Sequence, residues 1–135
     1  MTLTGRCYCG AVTYRSDGDP LWRAQCHCRE CQYISGGGPN YFLLLPADGF
    51  VYTAGSPRTF TRPDLARPVT REFCPTCGTP FWLTTARHPG GIGIAVGAHD
   101  GSDSEPPVRS VFEDCRHHWI AVPESTQSFP RGRKG

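Results

Sequence analysis

A segment of six residues carries the densest group of metal-binding side chains in this sequence. Cys26, Cys28 and Cys31 place three thiols in the pattern C-x-C-x-x-C, and we call them the thiol trio. Thiolate sulfur is a soft ligand that suits zinc, copper(I) or iron. Because zinc in proteins usually takes four ligands, three sulfurs leave one position for water or a substrate. The spacing therefore predicts a metal site with one open position.

The remaining cysteines form two pairs and one isolated residue. Cys7-x-Cys9 and Cys74-x-x-Cys77 together supply the four ligands of a closed structural site, and we call them the four-cysteine cluster. Cys115 is left alone. Eight cysteines also fit a disulfide framework, but residues 1–10 have no apolar segment typical of a secretory signal. We therefore expect a cytoplasmic protein whose reduced thiols bind metal.

Length and charge limit the classes of protein to consider. A chain of 135 residues fits one domain, which we place at residues 1–123, with a disordered tail at residues 124–135. Seven metal-bound thiolates and two zinc ions would change the formal charge of +2 to about −1, so we expect no nucleic-acid partner. No run approaches the roughly 18 apolar residues of a membrane span, so we expect no membrane partner.

The distribution of glycine and proline predicts short strands joined by turns. The 16 glycines and 13 prolines break the sequence into pieces too short for long helices. Alternation predicts one strand over residues 5–15, with Cys7 and Cys9 on the same face. Residues 29–35 could form one helical turn, and residues 40–45 are apolar without alternation, which is typical of a strand buried on both faces. Further strands are predicted at residues 21–25, 50–52, 58–61, 69–73, 81–85, 92–98 and 108–112.

Several motifs occur in the order found in one known family. They are GRCYCGAVTY at residues 5–14, CHCRECQ at 26–32 followed by Gly36, PAD at 46–48 followed by Phe50, REFCPTCGTPF at 71–81, and Trp119. On these residues the chain resembles the glutathione-dependent formaldehyde-activating enzyme family, which includes the centromere protein V type. The resemblance covers about residues 5 to 120, and three ordered cysteine motifs are far more specific than one.

The resemblance implies a fold, a cofactor and a reaction. It implies a single all-β domain of the β-tent type, with short antiparallel sheets around a structural zinc. It also implies that the four-cysteine cluster binds this zinc and that the thiol trio binds a second. The implied reaction is that of a carbon–sulfur lyase, which joins formaldehyde to glutathione reversibly as S-(hydroxymethyl)glutathione. Where the family usually has His-Ile-Phe, this chain has Ser110-Val111-Phe112, so a polar contact of that histidine is expected to be missing.

The chemistry of an open thiolate site leads to the same class of reaction. A zinc ion with three thiolates readily holds a fourth, so a substrate thiol would lose its proton there and lie beside an aldehyde. Addition of sulfur to the carbonyl carbon needs a donor for the developing alkoxide. The nearest candidates in sequence are His27, Arg29, Glu30 and Gln32.

Two alternative functions stay open at this point. Both metal ions could be structural, in a non-catalytic binding module for protein or nucleic acid. A weaker alternative is a redox enzyme similar to methionine sulfoxide reductase, with Cys115 as its nucleophile. The loop flanked by Arg58, Arg62 and Arg67 could meet the carboxylates of a peptide-like thiol, although such charges are usually solvated. The histidines at positions 88, 99, 117 and 118 have no ligand spacing, and the aromatic residues Trp22, Trp82, Trp119, Tyr41 and Phe42 are expected in the core.

Overall fold

A computed structural model describes residues 2–84, 89–124 and 126–132 of the chain. These residues form one α-helix, α1 (Arg29–Ser35), and a series of short strands. The strands are β1 (Thr2–Arg6), β2 (Thr13–Asp17), β3 (Trp22–Cys26), β4 (Asn40–Pro46), β5 (Phe50–Ala54), β6 (Arg58–Thr61), β7 (Thr70–Phe73), β8 (Pro80–Thr84), β9 (Gly91–Ala95), β10 (Arg109–Val111) and β11 (Gln127–Ser128). Single turns of 3-10 helix lie at Ala47–Gly49, Val96–Ala98, Ser102–Ser104 and Glu113–Cys115. No helix in these ranges is long and apolar enough to cross a membrane.

The strands form two sheets of unequal size. The small sheet has the order β1-β2-β5, and the large sheet has the order β11-β10-β3-β4-β9-β8-β7-β6. Neighbouring strands are antiparallel, except that β10 is parallel to both β3 and β11. The expected antiparallel pairing thus holds for the other strand pairs of both sheets, and the parallel pairs lie at this edge. The connection from β9 to β10 is long enough for the chain to cross to the far side of β3, which a parallel pair requires.

Strand β4 lies in the interior of the large sheet. Leu43 and Leu45 are fully buried in one core cluster, whereas Phe42 packs in a second. Because side chains alternate along a strand, the two clusters lie on opposite faces of β4. The prediction of a strand buried on both faces is confirmed.

The first predicted strand is wrong, because residues 5–15 do not form one continuous strand. Strand β1 ends at Arg6, and β2 begins only at Thr13. Between them the Cys7 amide donates to the Val12 carbonyl, and Gly10 adopts a left-handed φ of 82°. A residue with a side chain is strained in that conformation, so glycine favours the turn. Cys7 and Cys9 therefore converge in a tight turn and not along a strand face.

Four aromatic rings join the two sheets. Tyr14 on β2 stacks on Phe50 of β5 with the ring centroids 5.3 Å apart. Phe81 from the large sheet meets the edges of Tyr14 and Tyr52 at 6.4 and 6.1 Å. Such pairs contribute about 0.5–1.5 kcal/mol each beyond the burial of their area. Strand β5 pairs with β2 in the small sheet, although it follows β4 of the large sheet after only three residues.

The C-terminal segment is ordered over most of its length. Strand β11 pairs with β10, the Phe129 amide donates to the Ser110 carbonyl at 2.9 Å, and the Phe129 side chain packs against the second core cluster. An apolar ring and backbone hydrogen bonds therefore hold this segment to the sheet, within the region where the sequence predicts a disordered tail. Residues 133–135 lie outside the described residues.

Candidate metal centres and substrate site

The four-cysteine cluster lies at the contact between the two sheets. Its sulfur atoms all lie within 4.8 Å of one another. Cys9 Sγ is 3.5 Å from Cys7 Sγ and 3.8 Å from Cys74 Sγ. A zinc ion with sulfurs at about 2.3 Å in a tetrahedron would separate them by about 3.8 Å. Four soft donors at this spacing fit zinc.

Backbone amides and one hydroxyl point at the sulfurs of this cluster. The Val12 amide donates to Cys7 Sγ at 3.3 Å, and the Thr76 and Cys77 amides donate to Cys74 Sγ at 3.4 Å. Hydrogen bonds from Thr79, first from its side chain and then from its backbone, lower the pKa of Cys77 to about 5. These donors favour thiolates, which are the form that binds metal.

The thiol trio lies where β3 leads into α1. Cys26 ends β3, Cys28 is the N-cap of α1 with its sulfur accepting from the Cys31 amide at 3.3 Å, and Cys31 lies in the first turn. The three sulfurs lie within 4.8 Å of one another, and no fourth histidine, cysteine or carboxylate of the described ranges joins them. The local fold thus brings three sulfurs together at the connection between β3 and α1.

The three thiols of the trio, as free thiols, do not all lose their protons together. Hydrogen bonds from Cys26 and Cys31 lower the pKa of Cys28 to about 2. Hydrogen bonding to Cys28 and then to Cys31 raises the pKa of Cys26. One thiolate is therefore stabilised by two thiols that keep their protons. Three thiolates together need a cation, so the donor set fits a soft metal ion.

His27 is predicted as a donor for the alkoxide, but its side chain is buried away from solvent. It is 1% exposed, with Nε2 3.2 Å from the Gln25 amide nitrogen and 3.4 Å from the Glu113 carboxylate. Burial lowers the pKa of His27, against the opposing effect of Glu113. A neutral imidazole in a closed polar network can position residues 26–28, which we call the ligand loop.

The other three predicted donors differ in exposure. Gln32 is buried, and its amide donates to the carbonyls of His27 and Cys115 at 2.8 and 3.0 Å. Arg29 is exposed, donates to Gln32 Oε1 at 2.6 Å and lies over the Tyr33 ring. Glu30 pairs with Arg62 at 3.4 Å. The structure brings all four residues to the start of α1, and Gln32 alone of them is fixed to the backbone of the ligand loop.

A buried polar network behind the thiol trio was not predicted. The Gln25 amide donates to Ser110 Oγ at 3.0 Å, Ser110 Oγ donates to the Glu113 carboxylate, and Arg116 Nε donates to the same carboxylate at 2.7 Å. Ser110 stands where the family usually has histidine, and a polar contact was expected to be missing there. Ser110 itself supplies polar contacts at this position. Gln25 is far in sequence from the other three network residues. Of the four, the sequence singled out only Ser110, through this departure from the family pattern.

Cys115 lies close to the thiol trio but outside its group of ligand atoms. Burial and the neighbouring Asp114 raise the pKa of Cys115. A protonated thiol is a poor nucleophile, which counts against the redox alternative. All eight cysteines are free thiols.

The remaining predicted side chains have mixed outcomes. Arg62 forms ion pairs with Asp64 and Glu30. Trp22 packs on Phe42 in the second core cluster. Two predictions of core aromatic residues are wrong, because Trp119 and Tyr41 are 68% and 47% exposed. His99 is buried, and Trp119 stacks on His117. His88 and the Trp82 side chain lie outside the described residues.

The fold and the two sulfur clusters define a class of small all-β proteins with two sites that could hold metal ions. Within that class, the family model described as glutathione-dependent formaldehyde-activating enzyme matches residues 2–115. The chain belongs to this family.

Two known proteins show how far the similarity extends. A Halomonas elongata protein named "Putative glutathione-dependent formaldehyde-activating enzyme" is 28% identical over 134 residues, which cover 94% of this chain and 85% of that protein. A crystal structure of a Rhodobacter sphaeroides protein, a structural genomics target, superposes with a TM-score of 0.60 at 19% identity. It covers 73% of this chain and 88% of the other. The all-β fold of the β-tent type, implied by the sequence, is confirmed.

Proposed function

We propose that the chain promotes reversible carbon–sulfur bond formation between a small thiol, such as glutathione, and an aldehyde, such as formaldehyde. In the forward direction, the thiol sulfur adds to the carbonyl carbon and the thiol proton passes to the carbonyl oxygen. The observation that carries the proposal is the thiol trio, with three gathered sulfurs and no fourth ligand in the described part of the chain. Membership of the family supports glutathione and formaldehyde as the substrates.

The same proposal assigns zinc to both clusters. The four-cysteine cluster would hold a closed structural ion, and the thiol trio would hold an ion with one free position. When bound there, zinc would favour the thiolate form of an incoming thiol. The chain's own part is to hold three sulfurs at the junction of β3 and α1. We place the protein in the cytoplasm, where these thiols stay reduced.

The residues around the thiol trio divide into two proposed roles. Gln32 and the buried His27 act as positioning groups, because both are tied into hydrogen bonds that fix the ligand loop. Arg29 and Glu30 carry polar groups on the solvent side of the same turn. The role of any of these four as donor to the alkoxide stays a prediction.

A rate measurement tests the reaction. NMR exchange spectroscopy follows the interconversion of formaldehyde, glutathione and their adduct with and without the purified protein. We expect faster exchange with the protein, loss of the increase in Cys28→Ser, and little change in Cys115→Ser. An exchange rate equal to the spontaneous one would overturn the proposal and favour the non-catalytic binding module. Loss of activity in Cys115→Ser alone would favour the redox alternative.

A further inference from the structure

A cleft of about 210 Å³ opens between helix α1 and strands β7 and β8. Its walls include Tyr33 and Ile34 from the helix, Asn40 at the start of β4, and Arg71, Glu72 and Phe81 from the facing strands. Buried Phe81 supplies an apolar surface, and the charged and amide groups lie around it. An apolar cleft with a few polar groups is the usual form of a small-molecule site.

This cleft is adjacent to the thiol trio. Ile34 follows Cys31 by three residues on α1, so both side chains lie on one face of the helix. Asn40 lies directly opposite Cys26 in the antiparallel pair of β3 and β4, so these two side chains share a face of the sheet. Two of the three thiols therefore have a direct neighbour in the wall of the cleft.

Arg71 supplies an unpaired positive charge to the same cleft. It is half-buried, and no carboxylate in the described part of the chain forms an ion pair with its guanidinium. The neighbouring Glu72 instead accepts a hydrogen bond from the Tyr52 hydroxyl at 3.5 Å. Arg71 lines the same cleft as Ile34 and Asn40, which are the neighbours of Cys31 and Cys26.

The charge of Arg71 matters most for an anionic substrate. Three thiolates with one divalent ion carry a net negative charge, which disfavours the approach of a carboxylate. A guanidinium beside the sulfurs reverses this effect locally and can bind a carboxylate through two parallel hydrogen bonds. The volume lies below the roughly 300 Å³ at which pockets begin to enclose a drug-sized ligand. The cleft can therefore hold the part of a thiol that lies next to its sulfur.

We propose that Arg71 is the binding residue for a carboxylate of the thiol substrate, and that the substrates are therefore small thiols with a carboxylate near the sulfur. This inference depends on the proposed function, since it assumes that the thiol trio accepts an external thiol. Asn40 supplies a second polar group next to the same position. Tyr33, 78% exposed, borders the entrance, where a larger thiol such as a peptide would extend into solvent.

The test compares one acid with its neutral amide. Isothermal titration calorimetry measures the binding of 3-mercaptopropionate and of 3-mercaptopropanamide to the metal-loaded protein and to Arg71→Gln. We expect the wild-type protein to bind the acid at least about tenfold more tightly, as a hydrogen-bonded ion pair requires. Arg71→Gln should remove this preference, and Arg71→Lys should keep part of it. Arg15→Gln, which changes an exposed arginine on β2, should keep all of it.

Each other result has a definite meaning. Equal binding of acid and amide by the wild-type protein would overturn the role of Arg71 and leave the proposed function standing. An acid preference that survives in Arg71→Gln would also overturn it. A similar loss of affinity for both ligands in Arg71→Gln would mean that Arg71 only neutralises the thiolates. Binding of neither thiol to the wild-type protein would overturn the inference, whereas the proposed function is decided separately by the exchange measurement with glutathione.

Discussion

The side-chain amide of Gln32 donates a hydrogen bond of 2.8 Å to the backbone carbonyl of His27, the residue between two cysteines of the thiol trio. The same amide donates to the Cys115 carbonyl at 3.0 Å. One buried side chain therefore ties helix α1 to the ligand loop and to the segment after β10. Residues that orient metal ligands in this way contribute to metal affinity without touching the ion.

Replacing Gln32 should weaken the proposed metal binding by the thiol trio and leave that by the four-cysteine cluster intact. In Gln32→Leu we expect the affinity of the thiol trio for zinc to fall about tenfold, because the ligand loop loses its anchor. Competition with a chromophoric chelator measures the affinity of each site. Gln127→Leu, at an exposed position on β11, serves as the control and should bind zinc as the wild type does. Equal affinities in Gln32→Leu and the wild-type protein would contradict this role.

The two proposed metal sites should differ in their importance for folding. The four-cysteine cluster joins the turn after β1 to the turn after β7, whereas the thiol trio lies within one short segment. We expect Cys77→Ser to unfold most of the protein and Cys28→Ser to leave a folded protein with one zinc ion. Circular dichroism with metal analysis separates these outcomes. Similar unfolding in both variants would rule out separate roles.

The pH dependence of stability should reveal the Glu113 network. Burial opposes ionisation, but hydrogen bonds from Ser110 and Arg116 outweigh it and hold the pKa of Glu113 below its usual value of 4.5. This contribution to stability is present above pH 4.5 and is lost as the pH falls through the folded-state pKa. Glu113→Gln should therefore lower the free energy of unfolding at pH 7 by about 1–3 kcal/mol.

Urea denaturation at a series of pH values measures this difference. The gap between the wild type and Glu113→Gln should stay constant at neutral pH and narrow below pH 4.5. Asp114→Asn is the matched control, because its ion pair with Arg131 is exposed and should contribute less than about 1 kcal/mol. A gap that widens towards acid pH would contradict the assignment.

Gly5 marks a close approach of β1 to the 3-10 turn Val96–Ala98, which follows β9. A Cβ atom there would lie 2.1 Å from the Ala98 carbonyl oxygen and 2.3 Å from the Tyr14 ring. Gly5→Ala should lower the free energy of unfolding by about 1–3 kcal/mol, because backbone must move to relieve the overlap. Gly97→Ala, with no atom within 4 Å of its Cβ, should change it by less than about 0.5 kcal/mol. Thermal denaturation of both variants checks the difference, and equal stabilities would show that β1 and this turn move apart at low cost.

Sequence reasoning succeeded where local spacing decides the structure. The helix at residues 29–35 was predicted with the bounds that the structure shows, and the seven clustered cysteines were divided into the two groups that the structure brings together. Both features depend on residues close in sequence or on paired motifs. Cysteines at a metal-binding spacing restrict the conformation of the local backbone independently of the rest of the chain.

Sequence reasoning failed where distant segments decide the structure. The pairing of β5 with β2 and the parallel position of β10 depend on which segments meet in space, and strand periodicity does not encode that. The sequence predicts no role for Arg71 beyond its place in a family motif. Its position near the thiol trio follows from the packing of β7 near α1. Trp119 was expected in the core from its size alone, yet hydrophobic residues are often exposed.

The absorption spectrum of the cobalt-substituted protein tests the central claim most directly. Cobalt(II) replaces zinc at both clusters, and glutathione is then titrated into wild type and Cys28→Ser. If the thiol trio leaves a position for an external sulfur, the visible bands of the second site change and saturate in the wild type, and no such change occurs in Cys28→Ser. A wild-type spectrum that stays constant at millimolar glutathione, with both sites filled, would contradict the account.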